Sequence, residues 1–187
     1  KGSITAFGEE IVGRDEKAML PIRARIGMLF QGAALFDSLN VKENIAYPLR
    51  QHGWTDEDKI LYRVQETLDM VNLPGIDHKW PAELSGGMKK RVGLARAIAI
   101  EPEIILYDEP TTGLDPSNVK NIDDMILELQ ARLKVTSIVV THDMASAFRV
   151  SDRLAYLCNR RIEWVGFTDE VETGDNSAVR DFIHGTL

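Results

Sequence analysis

The sequence predicts an α/β fold, a mostly parallel sheet with helices packed against it. Three observations carry this. From Ile104 onward, short apolar or β-branched runs alternate with helical patterns: Ile104 to Tyr107, Pro116 to Leu133, Thr136 to Thr141, Asp143 to Val150 and Arg153 to Leu157. The earlier run Ile26-Gly27-Met28-Leu29-Phe30 reads as a further buried strand. Between these, a helical stretch at about 48–100 interrupts the alternation and reads as an inserted subdomain.

Taken in order, Ser3 to Phe7 and Glu9 to Val12 flank Gly8 and read as a short hairpin. Asp15 to Ala24 has a helical pattern that Pro21 weakens. Residues 31–50 are mixed and rich in turn formers. Asp56 to Val71 is helical, because Ile60, Val64, Leu68 and Val71 recur on one face and Pro74-Gly75 ends the pattern. Ser85 reads as the N-cap of a second helix that runs to about Ile100, before Glu101-Pro102. After the Ile104 to Leu157 alternation, Asn159-Arg160 turns the chain into Arg161 to Val165.

The 187 residues suit one domain with a proper core. Acidic residues outnumber basic ones, 29 to 22, for a net charge of -7. That balance argues against nucleic acid as a partner, which requires clustered Lys and Arg. The run Lys89-Lys90-Arg91 lies on a helix and reads as a solvated face. Cys158 is the sole cysteine, so no intrachain disulfide forms. No apolar run reaches the roughly 20 residues of a membrane span. The chain begins at Lys1, already leading into a strand, and reads as part of something longer. Trp54, Trp80, Trp164 and Cys158 read as packing residues.

Four segments carry candidate chemistry, each beside a plainer reading. Ile104 to Glu109 is an apolar strand that ends in two carboxylates at the carboxyl edge of the sheet, where open α/β folds bind ligands. Asp108 suits Mg²⁺ held partly through water, and Glu109 suits orienting or deprotonating an attacking water. The alternative is an acidic turn. Leu84-Ser85-Gly86-Gly87-Met88 places two glycines in a helix's first turn, at about 1 kcal/mol each, and presents N–H groups to an anion. The alternative is a plain N-cap. Thr141-His142-Asp143 sets a His at the end of a strand, near a terminal phosphate or simply as a cap or core residue. Phe30-Gln31-Gly32 sets an amide at a strand end, able to bond a metal ligand and a water, or merely a strand-end polar group.

In this order and spacing the four segments resemble ABC-transporter ATPase subunits along nearly the whole chain. Gln31 matches the Q-loop glutamine, and LSGGM at 84–88 the signature motif, with Met88 in place of the usual glutamine. Asp108 and Glu109 match the Walker B aspartate and catalytic glutamate. Gly113-Leu114-Asp115 matches the D-loop, and His142 the switch histidine. The resemblance implies a P-loop NTPase sheet of the ABC-ATPase type with an inserted helical signature subdomain. One partial domain then covers 1–187, with an α/β core at 1–47 and 101–187 and a helical part at about 48–100. No G-x-x-x-x-G-K-[ST] occurs in the sequence, so the phosphate loop and its strands are expected before Lys1. Without that loop, residues 1–187 alone are expected to be inactive.

The family implies ATP and Mg²⁺ as cofactors. Gln31, Glu109 and His142 then serve catalysis, and Asp108 with Gln31 the Mg²⁺. Ser85, Gly86 and Gly87 meet the ATP of a second, identical subunit, with Asp115 at the dimer interface. A finer resemblance, LFQGAALFDSLNVKENIAYPLR at 29–50, points to the ATPases of Mce/Mla-type lipid transporters. It implies movement of phospholipid or a related lipid, and a peripheral position on the cytoplasmic side of the inner or plasma membrane. A membrane permease would dock near residues 31–50, where Leu35, Phe36, Val41, Ile45 and Tyr47 supply an apolar and aromatic surface; the alternative is ordinary subdomain core, to which some of them belong. The competing expectation is an ABC-type ATPase acting on DNA or ribosomes. The short gap from Gln31 to Ser85, with no sustained heptads, argues against the long coiled coil of chromosome-maintenance members.

Overall fold

The computed structural model describes residues 2–171. Strands β1 (Thr5–Ala6) and β2 (Glu9–Glu10) pair antiparallel about Phe7 and Gly8. Both turn residues have positive φ, 53° and 81°, the backbone that a two-residue hairpin turn with the right twist requires. The pairing is shorter than the alternation predicts, because Glu10 instead bonds the N–H groups of Ile4 and Val12.

Helix α1 (Glu16–Arg23) survives Pro21. Asp15 caps it by accepting from the N–H of Ala18 at 2.8 Å. Strand β3 (Ile26–Leu29) follows. The next element is a correction to the sequence reading: residues 41–51 are not turn-rich but form helix α2 (Val41–Gln51). Asn40 caps it through the N–H of Glu43 at 2.9 Å, and Val41, Ile45 and Leu49 are fully buried on one face. Helices α3 (Glu57–Met70) and α4 (Gly86–Ile98) complete the helical stretch. Arg63, on α3 and 5% exposed, donates to the carbonyls of Ala99 and Ile98 at 2.9 and 2.8 Å. It thereby satisfies acceptors that the end of α4 leaves open.

Strand β4 (Ile104–Asp108), helix α5 (Pro116–Leu133), strand β5 (Thr136–Val140) and helix α6 (Met144–Val150) give the predicted alternation. The three strands form one parallel sheet in the order β3-β4-β5. Strands β6 (Arg153–Cys158) and β7 (Arg161–Phe167) pair antiparallel in a sheet of their own. The parallel sheet is less completely covered than predicted, since Ile138 and Val140 on β5 are more than half exposed.

One apolar cluster runs from Leu29, Ile105 and Tyr107 of the sheet through Leu94 and Ile98 of α4 to Leu49 and Val64 of α2 and α3. Each such fully buried side chain contributes roughly 1.5–3 kcal/mol. Helix α4 reaches β3 closely only because two glycines allow it. A Cβ on Gly27 would stand 2.4 Å from the carbonyl oxygen of Ala97, and one on Gly93 would stand 3.0 Å from Leu29. Helix α4 is thus fixed against the sheet. The tryptophan reading needs correction too, because Trp80 is 49% exposed and Trp54 36%; neither fills the core.

Candidate active site

The parallel register sets the candidate residues along one edge. Leu29 pairs with Tyr107, and Asp108 with Val140, so all three strands end level. Gln31 follows β3, Asp108 and Glu109 end β4, and His142 follows β5, at the carboxyl edge where open parallel sheets take ligands.

Glu109 is held from four directions. Its N–H donates to the carbonyl of Val140 at 2.9 Å. Its own carbonyl accepts from Lys90 Nζ at 2.9 Å. Oε2 accepts from the Thr112 hydroxyl at 2.7 Å, and Oε1 lies 2.9 Å from His142 Nδ1. The backbone is left-handed, with φ of 48°, a conformation costly for a residue with a Cβ and typical of positions held by their surroundings. Burial alone would raise the Glu109 carboxyl. The bonds from His142 and Thr112, with the charge of His142, outweigh it and hold the group below its ordinary value. His142 is raised in turn by its hydrogen bond to Glu109 and by that residue's charge. Each member favours the charged form of the other. Beside a carboxylate, Nδ1 carries the proton, so Nε2 of the largely exposed ring stays available outward.

Among the described residues no hydrogen bond or salt bridge is made by the Asp108 carboxylate, although its charge acts on Lys90, and the residue is half-buried at the strand end. Gln31 lies exposed just past β3. Among the described residues no three His, Cys, Asp or Glu side chains converge as a metal cage. A carboxylate at the end of β4, with an amide just past the end of the neighbouring strand β3, suits Mg²⁺, which takes few protein ligands and keeps its waters.

The signature residues form a second cluster. Ser85 caps α4 by accepting from the N–H of Met88 at 3.3 Å, while Gly86 is exposed. Gly87 has a packing reason: a Cβ there would stand 3.1 Å from Asn118 Oδ1 on α5. Asp115 does not join the Glu109 cluster. Its carboxylate accepts from the N–H groups of Ser117 and Asn118 and from the Asn118 amide, so within the chain it caps α5.

The segment after β3 divides differently from the sequence reading. Val41 and Ile45 are fully buried and Leu35 packs against the core, so these three are removed from the predicted contact surface. Phe36 and Tyr47 remain, each more than 40% exposed, their rings 4.9 Å apart. They line a groove of about 440 Å³ with Phe30, Met28, Pro48 and Ile100. Two residues that sequence reasoning missed hold this segment. Asn44, fully buried, bonds both the N–H and the carbonyl of Phe36. Arg96 on α4 donates at 2.7 Å to the carbonyls of Ala33 and Ala34, both left-handed. Thr112 and Lys90 were also missed. The Asn40-to-Glu43 capping signal alone was there to be found.

A parallel sheet with this carboxyl-edge constellation, and a glycine-started helix packed against it, is the architecture of an ATP-binding cassette. The chain belongs to the ABC transporter family, whose model matches residues 1–112. It is 40% identical over 185 residues to a probable ribonucleotide transport ATP-binding protein of Mycobacterium leprae, covering 99% of this chain and 53% of that protein. It is 38% identical to the Escherichia coli intermembrane phospholipid transport system ATP-binding protein MlaF, covering 98% and 68%. It thus spans about half the length of the first of these relatives. A solved dimeric ATP-binding cassette in a post-hydrolysis state, bound to ADP and phosphate, superposes with a TM-score of 0.81 at 31% identity, over 90% of this chain and 74% of that one. The relatives are named for transport, not for work on DNA or ribosomes. Among the described residues no helix is long and apolar enough to cross a membrane.

Proposed function

We propose that this chain is the ATP-hydrolysing part of a transporter subunit that moves phospholipid or a related lipid. The observation that supports it best is Glu109, fixed on four sides beside Asp108 at the carboxyl edge of the sheet. A carboxylate held below its ordinary pKa is a weak base but a good acceptor, so Glu109 orients the attacking water. His142 turns Nε2 toward the terminal phosphate. Asp108 and Gln31 would hold Mg²⁺, which would supply neutralisation of phosphate charge. Ser85, Gly86 and Gly87 present the start of α4 to the ATP of an identical partner subunit, with Asp115 near that interface.

In this reading the α/β core (1–47 and 101–187) carries hydrolysis, and the helical part (about 48–100) carries the signature to the partner. The subunit sits peripherally on the cytoplasmic side of the membrane through a permease. The phospholipid transport named for MlaF and the resemblance at 29–50 favour a lipid substrate. The ribonucleotide transport named for the mycobacterial relative is the competing cargo.

Turnover tests this directly. The natural full-length subunit is expected to hydrolyse ATP only with Mg²⁺. With its permease in vesicles, the rate should respond to phospholipid and not to added ribonucleotide. Residues 1–187 alone, with no G-x-x-x-x-G-K-[ST], are expected to show no micromolar Mg-ATP binding by calorimetry. A full-length subunit that binds Mg-ATP yet never turns it over would defeat the proposal.

The permease contact has its own test. Phe36 and Tyr47 are the exposed aromatic pair of the groove beyond Gln31. An unpaired charge buried there on docking is costly, about 1–3 kcal/mol or more. Phe36→Asp or Tyr47→Asp in the full-length subunit is expected to cut co-purification with the permease about tenfold, while ATP turnover of the free subunit stays near normal. Normal co-purification by both variants would place docking elsewhere.

A further inference from the structure

The run Lys89-Lys90-Arg91 reads as a solvated basic face, but the structure separates its members. Lys89 and Arg91 are half-exposed, whereas Lys90 is 5% exposed. A buried ammonium is costly unless it is bonded. Burial lowers the affinity of Lys90 for its proton, against the opposing charges of Glu109 and Asp108. Its recorded hydrogen bond runs to neither carboxylate. Nζ donates to the main-chain carbonyl of Glu109 at 2.9 Å.

That carbonyl belongs to a residue with a left-handed backbone, whose N–H is already spent on Val140. The φ of 48° turns the peptide after Glu109 out of the sheet's bonding pattern and toward α4. A carbonyl so turned needs a donor. It accepts from the N–H of Thr112 within its own turn at 3.4 Å and, at the shorter 2.9 Å, from the side chain of Lys90, one turn into α4. Lys90 is the charged donor and the one that ties the turn to another element. Close packing of α4 on β3 through Gly27 and Gly93 fixes the distance that Lys90 must span.

We propose that Lys90 is a positioning residue for Glu109: it holds the Glu109 carbonyl and so fixes the turn that aims the carboxylate past Thr112 and His142. The inference rests on the function proposed above, in which Glu109 orients water. It adds a physical tie, because the same α4 starts at Ser85, which that reading places on the partner's nucleotide. One helix then touches one nucleotide with its first turn and steadies the carboxylate acting on the other with its second.

The test uses Mg-ATP turnover by the natural full-length subunit. Lys90→Met keeps the length and apolar stem and removes the donor. We expect kcat per bound nucleotide to fall about tenfold, KM for ATP to stay within about twofold, and Lys90→Arg to recover most of the rate. The deciding arm repeats Lys90→Met on a Glu109→Gln background. There it should add no further loss to the residual turnover, because the group it positions no longer acts. A rise in KM at unchanged kcat, or an equal tenfold loss on both backgrounds, would overturn the inference. Should the Met variant not fold, Lys90→Leu, which also removes the donor, goes through the same cycle and is read the same way. A wild-type subunit that binds Mg-ATP without turnover would count against the proposed function, not against Lys90.

Discussion

Glu109→Gln in the natural full-length subunit is expected to lower ATP turnover by at least about 10²-fold while leaving nucleotide bound. The substitution keeps size and shape, and the amide oxygen can still accept from His142 Nδ1, now 2.9 Å from the carboxylate. What is lost is the negative charge and one acceptor. Thr112, which donates to Oε2 at 2.7 Å, must instead accept from the new amide nitrogen, and a hydroxyl rotates to do so. The fold around residue 109 therefore survives, and the effect falls on the water that the carboxylate orients. Nothing in the binding of phosphate requires Glu109, so ATP stays in place and the subunits remain joined around it. The measurement pairs steady-state turnover with size-exclusion chromatography in Mg-ATP. A slow variant that elutes as an ATP-held dimer matches the expectation. Near-normal turnover would remove Glu109 from the reaction. His142 supplies an independent check, because it owes its raised pKa first to the hydrogen bond and charge of Glu109. Its titration should move back toward the ordinary histidine range in the variant.

The strands and the long helices were legible because their signals are local. Pro116 to Leu133 reads as a helical pattern between two strands, and α5 has those bounds; the structure adds that Asp115 caps it and Pro116 opens it. The carboxyl-edge residues were legible for a related reason: a strand that ends in Asp108-Glu109 and another that ends before His142 must deliver them to the same edge if the sheet is parallel. Helix α2 was hidden by two residues. Asn44 breaks the apolar stripe because it is buried for its hydrogen bonds, and Pro48 reads as a breaker although it sits in the last turns of the helix. Taking α2 for loop also assigned Val41 and Ile45 to the surface. Once the helix is drawn, they fall on its buried face and Tyr47 does not. Lys90 was illegible for a different reason. Periodicity reports which face of a helix is apolar, and a buried lysine whose partner is a main-chain carbonyl 19 residues later breaks that correlation. Asp115 shows the reverse case: its capping bonds are local and account for it inside the chain, so any role at a dimer interface depends on a second subunit.

Ser85→Arg should abolish hydrolysis at the site that the partner's nucleotide occupies, not at the subunit's own. Within the chain Ser85 does no more than cap α4 through the N–H of Met88, and it is exposed, as is Gly86 after it. Glu109 and His142 form their cluster without it. Two effects must be separated. Loss of the cap costs about 1 kcal/mol of helix stability, which Ser85→Ala reproduces without bulk. The arginine adds bulk where a γ-phosphate would approach the free N–H groups of the helix start. Ser85→Ala is therefore expected to cut turnover modestly, and Ser85→Arg by about 10²-fold or more, with both still binding ATP. The direction of action is read from mixed dimers. One full-length subunit carries Ser85→Arg and the other a disabled phosphate loop. If α4 serves the partner's nucleotide, both defects fall in the same composite site and the other site is whole. Turnover of the mixture should then rise clearly above that of either parent. If α4 served its own subunit's nucleotide, each composite site would carry one defect and mixing would restore nothing. A mixture no faster than its parents, with heterodimers shown by differential tagging, would reject the assignment of Ser85, Gly86 and Gly87 to the partner's phosphate.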